Sequence, residues 1–268
     1  MRVSYKSTVA AVATVLTLGF AAAASASPVT FDWDPGAVPL TGSAFTADEL
    51  LASDYATVSL GTPSGSQTPF TESGFLGINQ ASLGAGTPFT PTGLNSTYSL
   101  YLAFSATGQQ NATTFTQSST GTFTSLNFTL YGVSGVSTFG FNSAYVPTVT
   151  NSGAPVALAS GSLMNGGTSL VVSGSSLTVS ASAVTTFEEM LAAFFVSPPA
   201  DISLQLASAF TGNPFIVSVY DGGSVLTIDG GTGDLSFNAP PAVPEPISLA
   251  LLGAGLVGLG VVRRRRRC

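Results

Sequence analysis

The side chains in this sequence that are able to do chemistry are almost all carboxylates. Thirteen Asp and Glu residues stand between Asp32 and Glu245, and that stretch holds no Lys, Arg or His. The single cysteine is Cys268, at the far end of an arginine run. A Ser-His-Asp triad, a Cys-His pair and a lysine Schiff base each need a residue type that the middle of the chain lacks. Zinc and copper sites built on imidazole or thiolate fall away on the same ground. What remains is carboxylate chemistry and the binding of hard cations.

Glycoside hydrolysis needs two carboxyl groups about 5 to 9.5 Å apart. Glu188-Glu189 and Asp32-Trp33-Asp34 place acids close together beside aromatic residues. Adjacent acids usually point to different faces, so these pairs read as solvated or helix-N-terminal charges. A carboxylate-based polysaccharide hydrolase is therefore the weakest of the functional readings, and a non-enzymatic protein is expected. For a hard cation, Asp221, Asp229 and Asp234 lie around Gly-rich turns, and calcium takes such oxygen ligands. The stretch Asp229-Gly230-Gly231-Thr232-Gly233-Asp234 resembles Gly-rich calcium turns but lacks their repetition. Asp-Gly is also a common hairpin dipeptide, so tight turns compete with calcium as the reason for these residues. No cofactor other than calcium is a candidate. Trp33 is the only tryptophan, and a place in the core is expected before a sugar-stacking role.

The elements that must position these residues read as strands. Tyr98, Leu100, Leu102 and Phe104 alternate with polar or small residues, and residues 125–130 and 202–206 alternate in the same way. Residues 215–220 and 224–228 are β-branched runs on either side of Asp221-Gly222-Gly223, which predicts a hairpin. Gly, Pro and Ser clusters punctuate at short intervals. The pattern predicts an all-β domain, an antiparallel β-sandwich, over residues 27–237. One or two short helices are expected at 46–51 and 186–191, where Thr is followed three residues later by Glu in a capping-box pattern.

The two ends carry all the positive charge. Arg2 and Lys6 precede an apolar run, and Ala24-Ser25-Ala26 is an A-x-A-like cleavage site, so residues 1–26 read as a secretory signal peptide cut before Ser27. Residues 238–243 form a Pro-rich spacer. Residues 247–262 are uncharged and apolar, about 24 Å long as a helix. That is short for a bilayer, but the flanking Arg263, Arg264, Arg265, Arg266 and Arg267 can snorkel to the headgroups. Positive flanks stay in the cytoplasm, so both ends are expected inside and everything between them exported. The acidic exported stretch would repel nucleic acid and anionic lipid.

The order of Pro244-Glu245-Pro246, apolar span and arginine cluster over residues 244–268 resembles the PEP-CTERM sorting signal of Gram-negative bacteria. The resemblance implies transient anchoring in the membrane, then cleavage near Pro244, Glu245 and Pro246 by an exosortase, a membrane protease. It further implies release to the cell surface or extracellular matrix in cells that export polysaccharide. Phe31-Asp32-Trp33-Asp34-Pro35, Asp54-Tyr55-Ala56 and Thr71-Glu72-Ser73-Gly74-Phe75-Leu76 are similar to stretches of flocculation-associated PEP-CTERM proteins. The expectation is thus a matrix protein working with exopolysaccharide in flocs or biofilm, with self-association as a further mode. A glycan-binding module, with or without calcium, is the alternative.

Overall fold

Alternation in the sequence becomes alternation of faces. In Glu49–Leu60 the residues Leu50, Ala52, Asp54 and Ala56 are buried, while those between them are half-exposed. The computed structural model describes residues 29–84, 86–173, 176–197, 203–210 and 217–238. The expected signal peptide, membrane span and sorting tail lie outside these residues.

In chain order the strands are β1 (Phe31–Trp33), β2 (Phe45–Ala47), β3 (Glu49–Leu60), β4 (Thr68–Ser82), β5 (Tyr98–Gln110), β6 (Ser119–Ser134), β7 (Ser137–Phe141), β8 (Pro147–Asn151), β9 (Pro155–Ser173), β10 (Ser176–Thr186), β11 (Glu188–Glu189), β12 (Phe195–Ser197), β13 (Ser203–Phe210), β14 (Val217–Tyr220) and β15 (Val225–Asn238). All their pairings are antiparallel. The expected antiparallel β architecture is therefore present. Ten of its strands lie in one curled sheet, where two stacked sheets were expected. The pairing runs β3-β4-β5-β6-β9-β10-β13-β15 and returns to β3, a closed ring. Bulges at Leu51/Ala52, Thr107/Gly108, Leu130/Tyr131, Val184/Thr185 and Asp229/Gly231 give these long strands the local bend that curls the sheet.

The two capping-box stretches are not helical. Glu49 accepts a hydrogen bond from the Ser82 hydroxyl at 2.7 Å, across to β4 rather than back to its own backbone. Leu50 and Ala52 are buried on the inner face, which a strand satisfies and a single helical turn would not. At the second stretch, Glu188 and Glu189 pair with Ser160 and Ala159 of β9. Among the described residues the helical turns are short 3₁₀ pieces at Pro35–Ala37, Ala192–Phe194 and Asp221–Gly223. The predicted hairpin is there, with Tyr220 opposite Val225 and the 3₁₀ turn between them.

The inside of the ring is packed with Leu50, Ile78, Leu100, Leu102, Phe128 and Leu130. Burying each large apolar side chain contributes about 1.5–3 kcal/mol. The outside carries exposed Thr71, Ser73, Ser105, Thr107, Gln109 and Asn127. This is the reverse of a transmembrane barrel, which turns apolar residues outward and polar ones inward.

One end of the barrel is closed by a small sheet, β12-β1-β2. Trp33 sits there with 2% exposure, its ring centroid 5.1 Å from Phe194, 5.7 Å from Phe195 and 6.0 Å from both Phe45 and Phe237. The tryptophan is core, as expected. Both described chain ends leave at this lid end, where the Val29 N–H donates to the Phe237 carbonyl at 2.7 Å. The β7-β8 hairpin folds over the outside, with Phe139 stacked on Tyr55 at 5.0 Å. Gly77 makes that contact, because a Cβ there would lie 2.6 Å from the Phe139 ring. At the hairpin tip Tyr145 stacks on Tyr220 at 4.0 Å.

Candidate functional site

Two inward positions of adjacent strands are filled by acids. Asp54 of β3 is 3% exposed and Glu72 of β4 is 9% exposed, both on the apolar face of their strands. Asp54 lies opposite Leu76 and Glu72 opposite Val58, and the Ala56–Gly74 pair stands between them. Burial, and secondarily the charge of Glu72, pushes the Asp54 carboxyl well above its usual range. Burial pushes Glu72 up to about 7. The Asp54 Oδ1 atom has no hydrogen-bond partner among the described residues. With no base in the barrel, both groups are held toward the neutral, protonated form.

Glu72 faces a cavity at the end of the barrel opposite the lid. Its empty volume is about 470 Å³, part of it open to solvent. Val58, Phe70, Phe115, Leu226 and Ile228 form the apolar wall, and Glu72, Gln110 and Ser119 bring polar atoms. The Ser119 hydroxyl donates to Gln110 Oε1 at 3.3 Å, and Gln110 Nε2 donates to the Ala112 carbonyl at 3.1 Å. Asp54 does not line this cavity.

A second feature is on the outer face. Ser73, Ser105, Asn127 and Ser162 stand in register across β4, β5, β6 and β9, all exposed. Beside them Ser59, Thr71, Thr107 and Ser125 form a parallel row across β3 to β6. Thr107 is within hydrogen-bond distance of Thr124 at 2.9 Å and of Ser125 at 2.7 Å. Strand spacing sets neighbouring members of each row about 4.8 Å apart.

The sequence-selected acids are scattered. Asp221 opens the turn between β14 and β15, where Asp221, Gly222 and Gly223 have φ of 50°, 68° and 100°. Asp229 is exposed at the β15 bulge beside Gly230, with Tyr55 opposite. Asp234 lies further along β15, opposite Leu51. Its carboxyl is pushed up by burial and then by the charge of Glu49. The three are strung along one hairpin, and among the described residues no group of three acidic, His or Cys side chains is placed to hold a metal ion. Asp34 accepts from the Gly36 N–H at 2.9 Å as a turn cap, and Asp32 accepts from the Thr46 hydroxyl. Glu188 and Glu189 are exposed on β11. Ala24, Ala26, Ser27, the Pro-Glu-Pro element and Arg263 to Arg267 lie outside the described residues. The buried pair was missed as a pair. Its signal was parity, since Asp54 and Glu72 each fall on the apolar phase of an alternating strand.

No curated protein and no solved structure matches the chain. Residues 242–267, however, match the family model of the PEP-CTERM protein-sorting motif. The chain carries a PEP-CTERM tail. That motif implies an exported protein, sorted to the cell surface by an exosortase. The β-barrel precedes the tail directly: β15 ends at Asn238, one residue into the expected spacer, and Pro244 of the PEP-CTERM element follows six residues later.

Proposed function

We propose that the barrel is a non-catalytic surface or matrix module, delivered by an exosortase and held to exported polysaccharide through its outer hydroxyl face, in support of flocculation or biofilm cohesion. The observation that carries this reading is the pair of in-register Ser/Thr/Asn rows across β3 to β9. A ladder of hydroxyl and amide groups exchanges hydrogen bonds readily with an uncharged, hydroxyl-rich polymer. The acid-only barrel favours neutral partners over nucleic acid or acidic polymers. A binding role is further supported by the inner carboxyls, because Asp54 lies behind the cavity wall where a sugar cannot contact it together with Glu72.

The test is co-sedimentation of the exported protein with exopolysaccharide from the producing cells. The wild type is expected in the pellet. Ser105→Leu with Asn127→Leu is expected to stay in solution while keeping the wild-type melting temperature. Undiminished retention of that variant would place the contact elsewhere.

A further inference from the structure

The cavity opposite the lid has apolar walls and one ionisable group. Glu72 is nine-tenths buried, lines that cavity and has no side-chain hydrogen bond among the described residues. Gln110 and Ser119, by contrast, are occupied with each other and with the Ala112 carbonyl. We propose that this cavity binds a small primary amine with an apolar body, its ammonium against the Glu72 carboxylate and its hydrocarbon against Phe70, Phe115, Leu226 and Ile228.

The charge follows from what surrounds Glu72. Asp54, behind Gly74, is the other acid buried within the barrel. Across the ring, β9, β10 and β13 contain no ionisable residue, and no Lys, Arg or His occurs between Lys6 and Arg263. A carboxylate or phosphate ligand would meet like charge with nothing to offset it. A calcium ion wants six to eight oxygens, and the wall offers a single carboxylate. A neutral alcohol would leave the carboxylate without a counter-charge. An ammonium group supplies it, and the wall residues take up the hydrocarbon. Burial holds Glu72 at about 7, so the amine selects the carboxylate form and binds more tightly as the pH rises through that value.

The test is calorimetry on the exported protein with n-butylamine, n-butanol and butyrate at matched ionic strength. Butylamine is expected to bind, with protons released at pH 7 and affinity rising about tenfold from pH 6 to pH 8, as the competent fraction rises. Butanol and butyrate are expected to show no such response. Glu72→Gln should remove the pH dependence and the preference for the amine. Ile228→Phe, which fills the cavity and keeps Glu72, should remove binding. Equal binding of butanol, binding that Glu72→Gln leaves unchanged, or no butylamine binding at millimolar concentration would overturn the proposal.

Discussion

Asp54 and Glu72 face one interior from neighbouring strands, and only the Ala56–Gly74 pair separates them. Gly74 leaves no room for a side chain, since a Cβ there would lie 2.4 Å from the Tyr55 carbonyl oxygen and 2.8 Å from Ala56 Cα. The barrel thus holds two acids in its interior with no base to neutralise them.

Stability should therefore fall as pH rises. Burial holds the Glu72 carboxyl at about 7 in the folded barrel, above its ordinary value of 4.5. Its contribution is fully present below about 4.5 and is lost as pH rises through about 7; Asp54 is shifted in the same direction. A shift of that size corresponds to a loss on the order of 3 kcal/mol. Denaturant midpoints from pH 4 to pH 8.5 should show the decline, and Glu72→Gln should reduce its slope, with Asp54 left to carry the remainder. Parallel curves for the two proteins would show that Glu72 does not contribute to the decline.

Trp33 anchors the lid and is the only tryptophan, so its fluorescence reports that end of the barrel alone. Emission should be blue-shifted in the folded protein and move to the red on unfolding. Trp33→Ala should cost about 3–5 kcal/mol, as for other buried aromatics. A cost under about 1 kcal/mol would mean that the lid does not contribute to the core.

Asp221, Asp229 and Asp234 are spread along the β14-β15 hairpin. Asp229→Asn with Asp234→Asn should leave any calcium-dependent self-association unchanged relative to the wild type in light scattering with matched sodium chloride. Asp234→Asn alone should stabilise the barrel at neutral pH by about 0.5 kcal/mol, because it removes the repulsion with Glu49 across a solvent-screened surface. Loss of a calcium response in the double variant would show that the two act as one site.

Much of the fold was legible because period-two alternation survives in the strands. Leu100 and Leu102 point inward as their spacing required, and the Asp221-Gly222-Gly223 turn joins two strands as predicted. Ring closure was not legible. It depends on β9 pairing with β6 across the β7-β8 hairpin, and on β15 returning to β3, which are long-range pairings that no local pattern encodes. The capping boxes misled because Thr-x-x-Glu is a local motif, while Leu50 and Phe187 are committed to the core by contacts distant in sequence. For the site, attention to clustered acids pointed to Asp229 and Asp234, whereas the two most deeply buried acids, Asp54 and Glu72, are single residues on the apolar faces of two strands. The PEP-CTERM motif was legible, because its signal is a linear order of residues.

Export of the barrel and its release from the tail by an exosortase would fix both ends of the mature protein. Intact mass of the protein recovered from the medium or matrix tests it most directly. The account predicts one species beginning at Ser27 and ending near the Pro244-Glu245-Pro246 element, without Arg263 to Arg267. A recovered protein that still carries the five arginines would contradict it.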